Sequence, residues 1–361
     1  MSHNQMLIIK NDLQVIELIK QKVVHKDVES VYDLISKLKY TAIVPSTISQ
    51  ERTISKLRKT HFDIMVWLNQ QPIPKIRHVK QIIAQNKEKL NWRACNFTNS
   101  LMKAGLQQIT NQTLPIVMGT NKETNQIEIG DLITMPHLLV AGQTGSGKSV
   151  WLNVLVTSLT GTRSPEECQI VLVDPKRVEF AFYKNHPSLW RPVASNPTAI
   201  EQVFKDLIDE METRLCDLEE HSVRNLTSYN QISGIKKKPF IVVIVDELAD
   251  LIMVSSGGVE EEITRLAQLA RAAGIHLVLA TQRPVTAIIT GLIKANMPTR
   301  IAFKVAARMD SRIILDAQGA ERLAGKGEYI WSNGDNKKKM QSLFISDAEI
   351  KDFMKNFKSD V

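Results

Sequence analysis

A short apolar run, His-Leu-Leu-Val-Ala at residues 137–141, leads without a break into Gly142-Gln143-Thr144-Gly145-Ser146-Gly147-Lys148-Ser149, and Val150 then opens an apolar stretch of helical character. Strand, glycine-rich turn and helix in that order leave little freedom of fold. The glycines let successive backbone N–H groups curl toward one point, at the positive end of the helix that follows. A lysine and a hydroxyl residue at the last two positions supply what a bound nucleotide triphosphate needs. Lys148 brings a mobile positive charge for the β- and γ-phosphates, and Ser149 offers an oxygen to Mg²⁺. The spacing therefore predicts a P-loop over 142–150 that takes ATP and Mg²⁺, carried on the C-terminal end of a buried strand.

Three further apolar runs read as buried strands: 170–173, 240–245 and 275–280. They alternate with helical stretches at 148–159, 197–220 and 259–273, and residues 115–119 and 126–129 read as two shorter strands around a polar turn. Strands separated by helices imply a mainly parallel sheet covered on both faces, an α/β domain. The acidic row on 197–220 (Asp206, Asp209, Glu210, Glu212, Asp217) reads as a solvent face.

Two of these strands end in polar residues that suit phosphate chemistry. The run Ile241-Val-Val-Ile-Val closes on Asp246-Glu247, which places both carboxylates at the sheet edge where ligands of open α/β sheets bind. There Asp246 suits the Mg²⁺ shell, and Glu247 can orient or deprotonate a water attacking the γ-phosphate. Helix capping just after the strand is the other use for the same acids. The third strand closes on Thr281-Gln282-Arg283-Pro284. If it lies between the P-loop strand and the Asp246 strand, Thr281 and Gln282 face the γ-phosphate.

Composition narrows the setting. The chain carries a net charge of +8, which suits a polyanionic partner. That excess is concentrated: residues 1–110 hold 17 Lys and Arg against 8 Asp and Glu, and the remainder holds 29 against 30. Apolar residues at helical spacing (Leu13, Ile16, Ile19, Val23; Val31, Leu34, Ile35, Leu38), and a helix start near Ser46, make residues 1–110 a basic, mainly helical domain ahead of a second domain at 111–361. A basic helical module serves equally as a docking head or as a solvated face. Cys95, Cys168 and Cys216 form neither a disulfide framework nor a zinc site of familiar spacing, which suits a reducing, cytoplasmic setting. The longest apolar stretches, such as 241–245, are about a quarter of what a membrane span needs.

Long strings around these motifs resemble the motor of the FtsK/SpoIIIE DNA translocases. They are Met135-Pro-His-Leu-Leu-Val-Ala-Gly142, Val173-Asp-Pro-Lys176, Val245-Asp-Glu-Leu-Ala-Asp-Leu251, the run from Arg265 to Pro284, that from Ile289 to Phe303, Asp310-Ser-Arg312 and Gly319-Ala-Glu-Arg322. The resemblance covers residues 114–357. It implies a RecA-like ATPase assembled as a hexameric ring around double-stranded DNA, with ATP between subunits and hydrolysis driving pore loops along the duplex. Arg271 matches the family's arginine finger, given in trans to a neighbour's γ-phosphate; Arg300 is a second candidate, and pairing of Arg271 with the Glu260–Glu262 cluster is the alternative. Family motif positions also imply Arg283, Arg308 and Arg312 as duplex contacts, with Lys294 beside them. Six basic residues against Asp310 alone in 283–312 suit phosphate-tracking, sequence-independent binding. Members usually add membrane spans and often a winged-helix domain; neither is apparent here, and residues 1–90 match nothing in the family. The expected function is ATP-driven pumping of duplex DNA for transfer or segregation. The alternative is a coupling or packaging ATPase that recruits a nucleoprotein partner through residues 1–110.

Overall fold

The computed structural model describes residues 112–255, 258–334, 336–355 and 357; the expected helical domain at 1–110 lies outside the described residues. The described part is organised by one nine-stranded sheet in the order β2-β1-β9-β8-β7-β3-β6-β5-β4. Five neighbouring strands are parallel: β3 (His137–Ala141), β4 (Cys168–Val173), β5 (Phe240–Val245), β6 (Ile275–Thr281) and β7 (Thr299–Phe303). The other four, β1 (Pro115–Asn121), β2 (Ile127–Asp131), β8 (Glu328–Asn333) and β9 (Asn336–Gln341), extend the sheet beyond β7 by antiparallel pairing.

The apolar runs behave as buried parallel strands should: every residue of β3, β5 and β6 is buried. Alternation then sorts their side chains onto two faces. Leu138, Val140, Val242, Ile244, Val278 and Ala280 point into one core, which α1 (Lys148–Thr162) fills with Trp151, Leu152 and Leu155. Leu139, Ala141, Val243, Val245, Leu277 and Leu279 point into the other. That second face is covered by α2 (Pro197–Glu220), and further along the chain by α4 (Leu248–Val254) and α5 (Val259–Leu269), after the single turn α3 (Leu226–Tyr229).

Helix α1 is buried almost all round, so its polar side chains must be satisfied inside the helix. Thr157, Ser158, Thr160 and Thr162 each turn a hydroxyl back onto the carbonyl four residues earlier, at 2.6–2.8 Å. In α2 the acidic row does not simply face water. Asp206 pairs with Arg191 at 2.9 Å, Glu210 with Arg214 at 2.7 Å, Glu212 with Arg265 at 2.7 Å, and Asp217 with Lys238. Arg214 itself is buried and also donates to the carbonyls of Pro239 (2.8 Å) and Ala273 (3.0 Å), tying α2 to the N-terminal ends of β5 and β6.

The helix expected over 259–273 stops at Leu269 because Gly274 turns the chain with φ +71°. Ile275 N–H then reaches back to the Ala270 carbonyl at 3.0 Å and β6 begins. A Cβ on Gly274 would meet Leu226 at 2.3 Å and Phe240 at 3.0 Å. Gly274→Ala is therefore expected to lower unfolding free energy by about 2–4 kcal/mol, strain plus overpacking. Gly234 also has positive φ (+85°) but open space, so Gly234→Ala should cost about 1–2 kcal/mol. Urea titration of the two variants measures the difference.

Candidate nucleotide site

The C-terminal edge of the parallel block gathers the polar ends of four strands. Ala141 of β3 lies in register with Thr281 of β6, and Leu279 of β6 with Val245 of β5, so β6 does stand between the P-loop strand and the Asp246 strand. Asp174 follows β4 beside Asp246, whose N–H donates to the Val173 carbonyl at 3.2 Å.

The loop over Gly142–Val150 is held from several sides. Gly142 N–H donates to the Thr281 carbonyl (3.2 Å), Gln143 N–H to the Lys304 carbonyl (2.9 Å) and Ser146 N–H to the Gln143 carbonyl (3.0 Å). Gly147, at φ +107°, is the residue for which only glycine serves: a Cβ there would sit 2.6 Å from the backbone of Gly327, whose N–H donates to the Ser146 carbonyl at 2.8 Å. Gly145, also at positive φ, faces open space, and Thr144 is exposed.

Lys148 opens α1 from beneath the loop. Its side chain is buried and its Nζ donates to both the carbonyl and the carboxylate of Asp246, the latter at 3.0 Å. The neighbouring Glu247 is equally buried. Its Oε1 accepts from Thr281 Oγ1 at 2.7 Å and from Ala249 N–H at 3.3 Å, and its Oε2 accepts from Gln282 N–H at 2.8 Å. Of the two uses read for the acid pair, capping is the one the geometry shows: Glu247 caps α4 while facing the end of β6. Gln282 in turn accepts from Thr144 Oγ1 at 2.7 Å, and Thr281 Oγ1 accepts from Arg283 N–H at 3.0 Å.

Ser149 Oγ donates to Glu179 Oε1 at 2.8 Å. Glu179 belongs to none of the motifs, although the Asp-Pro-Lys string at 174–176 stands just before it. It is half-buried, and burial raises its carboxyl above the usual range; the Ser149 hydrogen bond opposes that shift, and the nearby charges of Asp246 and Asp174 add to it. Lys176, close by, is paired with Asp250 at 2.7 Å, and that contact raises its pKa.

The donor set suits Mg²⁺. Hard oxygens from Ser149 and Asp246 stand at one edge, next to and in contact with Lys148 respectively, and among the described residues no cluster of three or more His, Cys, Asp or Glu forms a protein cage. Mg²⁺ is commonly held by one or two protein oxygens with phosphate and water completing the shell.

The basic residues separate into engaged and unengaged. Arg300 lies on β7, and its guanidinium pairs with Asp316 and donates to the carbonyls of Met297, Ile314 and Lys294 at 3.2–3.3 Å. Lys294, on α6 (Gly291–Asn296), pairs with the same Asp316. Arg283 is exposed, as are Arg308 and Arg312 on α7 (Arg308–Leu315), and among the described residues none of the three has an ion pair with an acid. Arg271 is exposed in the turn between α5 and β6 and makes no ion pair with Glu260–Glu262. Seven strand residues put it about 20 Å from Thr281 at the other end of β6.

The FtsK/SpoIIIE family model matches residues 100–286, just over half of the chain. The chain belongs to the FtsK/SpoIIIE family. It is 45% identical over 261 residues to DNA translocase SpoIIIE of Bacillus subtilis, covering 69% of this chain and 33% of that protein. To DNA translocase FtsK of Listeria monocytogenes it is 47% identical over 255 residues, 67% of this chain and 33% of that protein. The chain thus spans about a third of the length of the curated relatives it matches. Among solved structures it resembles the pCW3 conjugation coupling protein TcpA, in its monomer form with ATPγS, at a TM-score of 0.61 and 32% identity, covering 70% of this chain and 73% of that one. The P-loop ATPase fold of the family is therefore the fold of this chain. No helix among the described residues is long and apolar enough to cross a membrane.

Thr281 is the joint of the site, since its hydroxyl serves Glu247 and Arg283 N–H together. Thr281→Val leaves a buried carboxylate oxygen short of a donor, and is expected to cost about 1–3 kcal/mol of stability. Thr281→Ser should cost far less, as read by parallel denaturation curves.

Proposed function

We propose that this chain is an ATP-driven translocase of double-stranded DNA that works as a cytoplasmic hexameric ring and uses Mg²⁺–ATP between subunits. The observation that carries the reading is the contact of Glu247 with Thr281 Oγ1 and Gln282 N–H, one residue from Arg283. It joins the candidate hydrolytic acid to the start of the basic segment by a single backbone step.

In this mechanism the P-loop N–H groups hold the phosphates, and Lys148 exchanges its contact with Asp246 for the γ-phosphate. Ser149 and Asp246 would hold Mg²⁺, which would neutralise phosphate charge. Glu247 orients a water for in-line attack and takes its proton. Arg271 is too far along β6 to serve its own loop, which supports a role in a neighbour's site; a guanidinium matches the charge spread over the transferring phosphoryl oxygens. Arg300 is committed to Asp316 and three carbonyls, which disfavours it for that part. Hydrolysis alters the donors facing Thr281 and Gln282, and Arg283 moves with them. A second link runs from the P-loop through Gln143 N–H to Lys304, ahead of α7 with Arg308 and Arg312. These exposed arginines suit sequence-independent phosphate contacts. Lys294 would have to leave Asp316 to join them.

ATPase activity stimulated by duplex DNA is the expected result, together with ATP-dependent displacement of a triplex-forming strand. Glu247→Gln should bind ATP yet hydrolyse it at least about a hundredfold more slowly, and Lys148→Ala should abolish both activities. Hydrolysis indifferent to duplex, with no triplex displacement, would sink the translocase reading.

The likeness to the conjugation coupling protein TcpA, across most of that chain, favours one second reading: a coupling ATPase in which residues 1–110 recruit a nucleoprotein. Deleting residues 1–95 separates the two. Recruitment lost with DNA-stimulated hydrolysis intact supports coupling, whereas loss of hexamers in sedimentation makes those residues part of the ring.

A further inference from the structure

The Ser149 hydroxyl has an acceptor built for it. Glu179 Oε1 accepts a hydrogen bond from it at 2.8 Å, and the segment presenting Glu179 is anchored on both sides. On one side Asp174, buried at the end of β4, accepts the N–H of Phe180 at 3.1 Å, which closes the turn that carries Glu179. On the other, the Phe180 ring packs edge-on against Tyr183, whose hydroxyl donates to Asn153 at 2.9 Å. Asn153 Nδ2 then donates to the backbone carbonyl of Ser149 at 3.0 Å. Ser149 is therefore reached twice from this segment, once at its hydroxyl and once at its carbonyl.

A hydroxyl has one proton and two lone pairs. Once its proton is committed to Glu179, both lone pairs remain for a cation. The charge around it is also lopsided. Lys148 faces Asp246 at 3.0 Å, and among the described residues Glu179, Glu247 and Asp174 make no ion pair and one oxygen of buried Asp174 has no hydrogen-bond partner. A triphosphate entering without a divalent cation meets that negative charge through a poorly screening, half-buried medium.

We propose that Glu179 is a positioning residue that makes nucleotide binding depend on Mg²⁺: it fixes the Ser149 hydroxyl as a cation ligand, and its charge repels a triphosphate that arrives without the cation. The inference rests on the reading of residues 142–150 as a Mg²⁺–ATP site. The two actions have opposite signs. With Mg²⁺ Glu179 favours binding through Ser149; without Mg²⁺ it opposes binding.

The test is titration of the full-length chain with a fluorescent ATP analogue at pH 8, once in excess Mg²⁺ and once in EDTA. Glu179→Ala should bind about tenfold more weakly than wild type in Mg²⁺ and severalfold more tightly in EDTA. Glu179→Gln keeps an oxygen for the Ser149 proton but loses the charge, so it should tighten binding in EDTA while losing much less in Mg²⁺. A partly unfolded variant weakens binding under both conditions and cannot produce this crossing; should Glu179→Ala fail to fold, the near-isosteric Glu179→Gln still gives the EDTA result. An unchanged ratio of Mg²⁺ to EDTA affinity in both variants overturns the inference. Failure of the wild-type chain to bind the analogue in Mg²⁺ would instead overturn the nucleotide reading itself.

Discussion

The buried pair between Lys148 and Asp246 is the contact around which the molecule is arranged. It joins the first turn of α1 to the end of β5, across the strand that separates β5 from β3. Removing one member of a buried pair costs about 3–5 kcal/mol, because the other charge is left without compensation. Such a pair forms only if β3, β6 and β5 end at the same height, and the register that aligns Ala141 with Thr281 and Val245 with Leu279 meets that condition. The apolar content of these strands and the two helical layers over them hold that edge level.

From the same edge a chain of short contacts leads away from the loop. Glu247 touches Thr281 and Gln282, Gln282 touches Thr144 of the loop, and Thr281 touches Arg283. None of these contacts spans more than one side chain. The loop is thus joined to exposed Arg283 by consecutive hydrogen bonds, the path along which the proposed coupling would run. The second link, from Gln143 to Lys304, leaves the opposite side of the loop and reaches the β7 end in one hydrogen bond.

How much of this was readable in advance depends on whether a feature is local. The P-loop with its strand and helix, the strand ending on Asp246-Glu247 and the limits of α2 follow from periodicity and turn residues within a dozen positions. Strands β7, β8 and β9 did not stand out. Thr299–Phe303 carries Arg300 as its second residue, and Asn336–Gln341 carries three consecutive lysines, which read as a charge run. They are strands because neighbours pair with them: Lys338 lies against Glu128 and Trp331, and Lys339 against Glu328. Glu179 was silent for the same reason, since its partner Ser149 is thirty residues away. The acidic row of α2 was misleading in the opposite sense, because its partners Arg191, Lys238 and Arg265 come from three other segments.

By itself the sequence determined the kind of site and the class of fold. A glycine loop ending in Lys-Ser must follow a strand and open a helix, and strands alternating with helices must form a parallel sheet. Only the tertiary structure decided which strand stands beside which, that Glu247 is gripped from β6, that Arg300 and Lys294 are committed to Asp316 while Arg271 stands clear, and that Glu179 holds Ser149. The reason is physical. Backbone dihedrals and side-chain periodicity are set within a few residues, whereas strand neighbours and ion pairs are chosen by the packing of the whole chain, which short-range pattern does not encode.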